Sequence, residues 1–171
     1  MTGQITADLV ESRLADLGLR LPTDLPAPAG SYEPFRLHRG LGFLAAQVPG
    51  YGPTAPTGRV GAELTFEQGR DAARLAALNA IARIDQALGG FDRLTGLLHV
   101  AGHVASADDF LEQPGVLDGA SDLLVAVFGP RGRHTRTAYP AARLPRDVSI
   151  ELEITFAYED AWCFPRPEWE G

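Results

Sequence analysis

The sequence predicts an α+β sandwich, with two long helices on one face of a five- or six-stranded sheet and a short helix ahead of them. Two long segments, opening at Thr65 and at Pro114, repeat apolar residues at helical intervals. Five others alternate, or run apolar, as strands do. Along the chain these give helix, β, β, α, β, α, β, β, an order that suits a two-layer fold. A length of 171 residues fits a single domain with a core large enough to fold without staples. That domain is expected to span 1–171, with residues 1–20 as an N-terminal helical segment and 161–171 as a C-terminal tail.

The first helix is expected from Ile5 to Leu17, where Ile5, Leu9, Val10, Leu14 and Leu17 share a face and Gly18 can close the last turn. Leu21 to Gly30 holds Pro22, Pro26 and Pro28 and reads as an ordered connector. Phe35 to Arg39 alternates like a strand, Gly40 to Gly42 turns, and Phe43 to Val48 is a buried strand, so the pair reads as a hairpin. Pro49 to Gly61 is a loop rich in glycine and proline, with a short strand expected near Arg59-Val60.

Thr65-Phe66-Glu67-Gln68 has the form of a capping box. The helix it opens runs to about Leu88, with Ala73, Ala77, Ala80, Ile81, Ile84 and Leu88 on one face, and Gly89-Gly90 ends it. Leu97 to Ala105 is strand-like. Pro114 opens a second helix that turns Val116, Leu117, Ala120, Leu123, Leu124, Val127 and Phe128 inward, and Gly129-Pro130 stops it. Val148 to Phe156 has apolar residues at even positions and polar ones at odd positions, a period of two. His134 to Leu144 is its candidate partner strand, joined through the turn Pro145-Arg146-Asp147. Two helices cover only one face of such a sheet, and Leu97 to Ala105 is apolar on both sides. The other face is expected to meet a second subunit rather than the N-terminal helix and the tryptophan-bearing tail.

The formal charge of −7 argues against a broad nucleic-acid footprint. No run reaches membrane-span length, and Met1-Thr2-Gly3-Gln4 lacks a basic region ahead of an apolar stretch, so a cytoplasmic protein is expected. A single cysteine, Cys163, excludes an internal disulfide and any multi-cysteine metal site. All 15 basic residues are arginine, which rules out lysine Schiff-base chemistry and the P-loop and favours two-pronged grip on carboxylates or phosphates. His99 and His103 stand four apart in a strand, about 13 Å, too far to share one metal. No Gly-x-Ser-x-Gly elbow occurs, and Ser121 falls inside a helix, so a serine triad is not expected. The densest cationic focus is Arg131, Arg133, His134 and Arg136. Arg136 lies within the strand and is the one that packing can fix, whereas Arg131 and Arg133 are loop residues.

The run from Arg136 through Arg143-Leu144-Pro145 to Glu151-Leu152-Glu153 resembles the C-terminal signature of the RidA (YjgF, endoribonuclease L-PSP) family. Tyr32 followed by Ala45-Ala46-Gln47-Val48-Pro49 is similar to the family's tyrosine and Ser-Gly-Gln-x-Pro strand. Gln113-Pro114 through Asp118-Gly119-Ala120-Ser121-Asp122-Leu123 is similar to a run in a longer, less studied branch. The resemblance covers roughly Leu17 to Asp160. It implies a chorismate-mutase-like two-layer sandwich with a mixed sheet, and a homotrimer with a pocket at each subunit interface.

It further implies hydrolysis, by deamination, of reactive enamine and imine intermediates without metal or cofactor. Arg136 would hold the substrate carboxylate, Glu151 would position water as the catalytic acid/base, and Tyr32 would form a pocket wall. Ala45, Ala138 and Asp118 occupy substrate-binding positions where the pattern has serine, often cysteine, and asparagine. An imine carbon is already electrophilic, so an oriented water and a proton shuttle suffice. A non-catalytic trimer that binds a small carboxylate metabolite is the alternative, and endoribonuclease action a weaker one.

Overall fold

A computed structural model describes residues 4–51 and 55–160. Helix α1 (Ala7–Asp16) begins where the Thr6 hydroxyl accepts the Leu9 N–H, and ends before Gly18 at φ +69. Its buried Val10 and Leu14, and a bond from Arg13 Nη1 to the carbonyl of Val127 (2.6 Å), fasten it to the helical layer. It therefore leaves the far face of the sheet uncovered. Helix α2 (Phe66–Leu88) opens with the full capping box, Gln68 N–H to Thr65 Oγ1 at 3.2 Å and Thr65 N–H to Gln68 Oε1 at 2.8 Å, and closes at Gly89 in the left-handed region. Such a cap contributes about 1 kcal/mol. Helix α3 (Gln113–Phe128) lies so close to α2 that a Cβ on Gly119 would stand 2.2 Å from the Arg70 carbonyl oxygen.

The sheet is mixed and five-stranded: β1 (Phe35–His38), β2 (Leu41–Gln47), β3 (Leu94–Ala105), β4 (Thr135–Ala141) and β5 (Ile150–Tyr158), in the order β1-β2-β5-β3-β4. With α2 and α3 on one face, this is the expected α+β architecture. Ile150, Leu152, Ile154 and Phe156 are buried toward the helices together with Leu97, Val100 and Val104 of β3. The opposite face carries Glu151, Glu153 and Thr155 beside His103, Ala101 and His99. Apolar Leu41, Phe43 and Tyr139 are 39–48% exposed on that face.

Three expectations are corrected. β4 does not pair with β5; it pairs in parallel with β3, and β5 lies between β2 and β3. The reason is burial: β5 fills its whole helix-side row with apolar side chains and belongs in the centre, whereas β4 has no fully buried residue and belongs at an edge. The turn at 145–147, with Arg146 and Asp147 at positive φ, reverses the chain without closing a hairpin. The β1–β2 turn falls at Arg39-Gly40 rather than Gly40 to Gly42, and β2 already begins at Leu41. Near Arg59-Val60 only single bridges form, Val60 to Leu64 and Val60 to Ser106. Cys163 and the aromatic tail lie outside the described residues.

Candidate functional site

Arg136 is the second residue of β4 and stands in register with Val100, so its side chain takes the helix side of the sheet. There Nη1 donates to Asp118 Oδ1 and to Ser121 Oγ, both at 2.9 Å, and Nη2 donates to the Pro114 carbonyl at 3.0 Å. Asp118 and Ser121 are three apart on α3 and thus share one face of it. The guanidinium is pinned, with 21% of its side chain exposed, and has more donors than these bonds use. A charged group that is held and still partly unsatisfied is suited to an incoming carboxylate.

Behind Arg136 runs a short relay. His134 Nδ1 lies 2.6 Å from the Gly132 carbonyl, so it carries the proton, and Nε2 accepts the Ser121 hydroxyl at 3.0 Å. Burial is the main cause that holds the His134 pKa below the usual histidine value; Arg136 and His99 push the same way. Ala138, in register with Gly102 and two residues from Arg136 on the same face of β4, is partly buried and packs against the core.

A second group gathers on and beside the open face of the sheet. Glu151 is in register with His103, and burial raises its carboxyl above the ordinary range, with Glu153 adding to the rise and His103 opposing it. His103 Nε2 sits 3.3 Å from Glu153 Oε1, and its ring stacks on Tyr139 at 5.3 Å. Tyr51 lies within electrostatic reach of Tyr32, Arg146 and Glu151; burial is the largest cause of its raised pKa, and Arg146 covers its ring at 4.9 Å. Tyr32, Tyr51, Ala45, Gln47 and Arg83 line one cleft, formed where a bulge between Leu44 and Gln47 interrupts β2. The Tyr32 hydroxyl accepts the Ala29 N–H at 3.0 Å.

The structure thus brings Arg136 together with Asp118, and Tyr32 with Ala45 and, through Tyr51, the neighbourhood of Glu151. It does not bring Arg136 and Glu151 together: within one chain the sheet lies between them. The largest cavity described, about 870 Å³ between α1, the connector Leu19 to Leu25 and α2, touches none of the expected site residues. His99 bonds to the hydroxyls of Thr135 and Thr137, and the described residues contain no cluster of three or more His, Cys, Asp or Glu able to hold a metal. No described helix is long and apolar enough to cross a membrane.

Sequence reasoning placed His134 beside Arg136 and Ser121 beside Asp118 but not the bonds that join them, and it missed Tyr51 and Arg83. The i, i+3 spacing of Asp118 and Ser121 was a usable signal for those bonds. An arginine on the apolar stripe, three residues after Ala80, was one for Arg83. Tyr51 carried none, because its place depends on the bulge.

Residues 11–158 match the family model described as "YjgF/chorismate_mutase-like, putative endoribonuclease". The chain is 34% identical to Protein TCP17 of Trypanosoma cruzi over 151 residues, covering 87% of this chain and 94% of that protein. Among solved structures it is similar to the protein Atu1372 from Agrobacterium tumefaciens, with 34% identity, 89% and 93% of the two chains covered and a TM-score of 0.81. It is equally similar to a putative endoribonuclease from Shewanella oneidensis, with 35% identity, 86% and 98% covered and a TM-score of 0.82.

Proposed function

The chain belongs to the YjgF/RidA family, and from that premise we propose that it hydrolyses reactive 2-imino acids and their enamine tautomers in pockets shared between copies of a homotrimer. The observation that supports this most is the disposition of Arg136 and Glu151 on opposite faces of one sheet. A pocket that contains both is built from two chains: one supplies Arg136 from its edge strand, and its neighbour supplies Glu151, Tyr51 and Tyr32. The exposed Leu41, Phe43 and Tyr139 on the face that bears Glu151 supply the apolar surface for such an association.

In this reading the free donors of Arg136 hold the substrate carboxylate. Water bound at Glu151 adds to the imine carbon while the carboxylate takes its proton, and the carbinolamine that forms receives that proton on nitrogen. Glu151 next takes the proton of the carbinolamine hydroxyl and passes it to nitrogen; as the oxygen becomes a carbonyl the C–N bond breaks, ammonia leaves with the bonding pair, and a 2-oxo acid remains. Partial burial keeps Glu151 a stronger base than an exposed carboxylate, which suits it to both transfers. The test is ammonia release from a 2-imino acid generated in situ by an amino-acid oxidase. Release faster than in buffer, lost in Glu151→Gln, supports the reading; no acceleration by the purified oligomer removes it.

Asp118 favours a second reading, a carboxylate-binding protein without catalysis, because its negative charge offsets Arg136 where the family pattern has a neutral asparagine. A carboxylate that raises the melting temperature through Arg136, with no ammonia release, selects this reading.

A further inference from the structure

Arg83 plays no part in the reaction above, yet the fold holds it at a cost. It stands on the buried side of α2, 5% exposed. Nη1 donates to Gln86 Oε1 and Nη2 to the Pro26 carbonyl, both at 2.7 Å and both uncharged acceptors. Nε is buried with no partner, and no Asp or Glu among the described residues forms an ion pair with the guanidinium. An arginine cannot shed its proton at ordinary pH, so the interior carries a positive charge without a counter-ion.

Two openings flank this charge. The 870 Å³ cavity is bordered by Glu11, Asp24 and Asp85 against Arg20 and Arg83, a balance that disfavours an anion. The other is the cleft of Tyr32, Ala45, Gln47 and Tyr51, in which Arg83 is the only charged side chain among the described residues. It is a narrow cleft of about 20 Å³, room for one oxygen of a carboxylate at a time, and Tyr32, half exposed, forms part of its wall. Tyr32 and Tyr51 line the cleft beside Gln47, whose amide donates one N–H to the Ala45 carbonyl at 2.7 Å and has a second to offer, and alanine at position 45 adds no hydroxyl there.

We propose that Arg83 with Tyr32 and Tyr51 forms an anion subsite for a second carboxylate, so that the substrate class is the 2-imino dicarboxylic acids rather than imines with neutral side chains. This rests on the imine reading of Arg136 and Glu151. The substrate would lie with its 2-carboxylate on Arg136 of one copy, its imine carbon at Glu151 of the next, and its side-chain carboxylate pointing past Tyr51 to Arg83.

The corresponding products serve as stable probes. Calorimetry on the oligomer should show 2-oxoglutarate binding about tenfold more tightly than 2-oxobutanoate. Arg83→Met should abolish that preference and leave 2-oxobutanoate unchanged, whereas Arg136→Ala should weaken both. Equal affinity in the unaltered protein, or a preference that survives Arg83→Met, overturns the subsite whatever Arg136→Ala does. A preference that vanishes in Arg83→Met while Arg136→Ala binds both probes normally keeps the anion subsite and overturns the carboxylate clamp. If Arg83→Met does not fold, Arg83→Gln carries the test, since its amide can still donate to the Pro26 carbonyl: loss of the dicarboxylate preference with 2-oxobutanoate binding unchanged supports the subsite, and a retained preference refutes it.

Discussion

Arg136 and Arg83 are both rigid, and they are rigid for opposite reasons. Arg136 sits at a sheet edge, is paired with Asp118, and keeps donors to spare. Arg83 is enclosed in the helical layer with neutral acceptors and an orphaned Nε, and burial pulls its pKa below the usual arginine value. A paired guanidinium has its charge offset where it stands; an unpaired buried one keeps its desolvation cost without that return. Placement alone thus separates a cation that the fold uses from one that the fold tolerates.

The largest test of this contrast is Arg136→Ala. If two charge-assisted bonds to a carboxylate are lost, at about 1.5 kcal/mol each, kcat/KM for imine hydrolysis should fall about 100-fold. Asp118 is half exposed on its side chain and remains hydrated, so the fold should persist, checked by circular dichroism. A fully active, folded Arg136→Ala protein would erase the distinction between the two arginines.

The converse prediction concerns stability. Arg83→Met fills similar volume without a charge, gives up two bonds to neutral acceptors, and removes an uncompensated cation. Replacements of this kind are commonly neutral or stabilising, so the melting temperature should stay level or rise, by up to several degrees for about 1 kcal/mol. A fall of ten degrees would mean that the Gln86 and Pro26 bonds outweigh the buried charge.

Much of the fold could be read from the sequence because the chemistry that sets it is local. The Thr65–Gln68 box needs four consecutive residues, and the alternation from Ile150 to Phe156 needs only its own period. Strand order is not local. The turn composition of Pro145-Arg146-Asp147 invited a hairpin, and nothing in it encodes that β3, dozens of residues earlier, separates β4 from β5. The site divides in the same way. Arg136 was legible as a fixed cation because alternation placed it inside a strand. Its association with Ser121 and His134, its separation from Glu151 by the sheet, and the isolation of Arg83 depend on which faces meet in space.

A smaller effect would sharpen the role of Asp118. Asp118→Asn keeps an oxygen acceptor for Arg136 Nη1 and removes the competing charge. The KM for a carboxylate substrate should fall about threefold to tenfold with kcat little changed, since the loss acts on binding. A rise in KM would show that Asp118 orients Arg136 more than it neutralises it.

The smallest effect lies in the relay behind Arg136. The His134 pKa is depressed in the folded chain, chiefly by burial, below the ordinary histidine value of about 6.5. Between the folded and unfolded values the unfolded chain binds a proton that the native chain does not, so stability declines as pH falls from about 6.5 through the folded pKa, and is constant below it. Glu151 acts oppositely: its raised pKa means that the native chain takes up a proton first as pH falls, which adds stability on acidification. The two are separable. Urea midpoints measured from pH 7.5 to 5 should show a shallower acid-side loss in His134→Gln than in the unaltered protein, and a steeper one in Glu151→Gln. An identical slope in His134→Gln would mean that the histidine binds its proton equally well in the folded and unfolded chain, so that burial does not act on it.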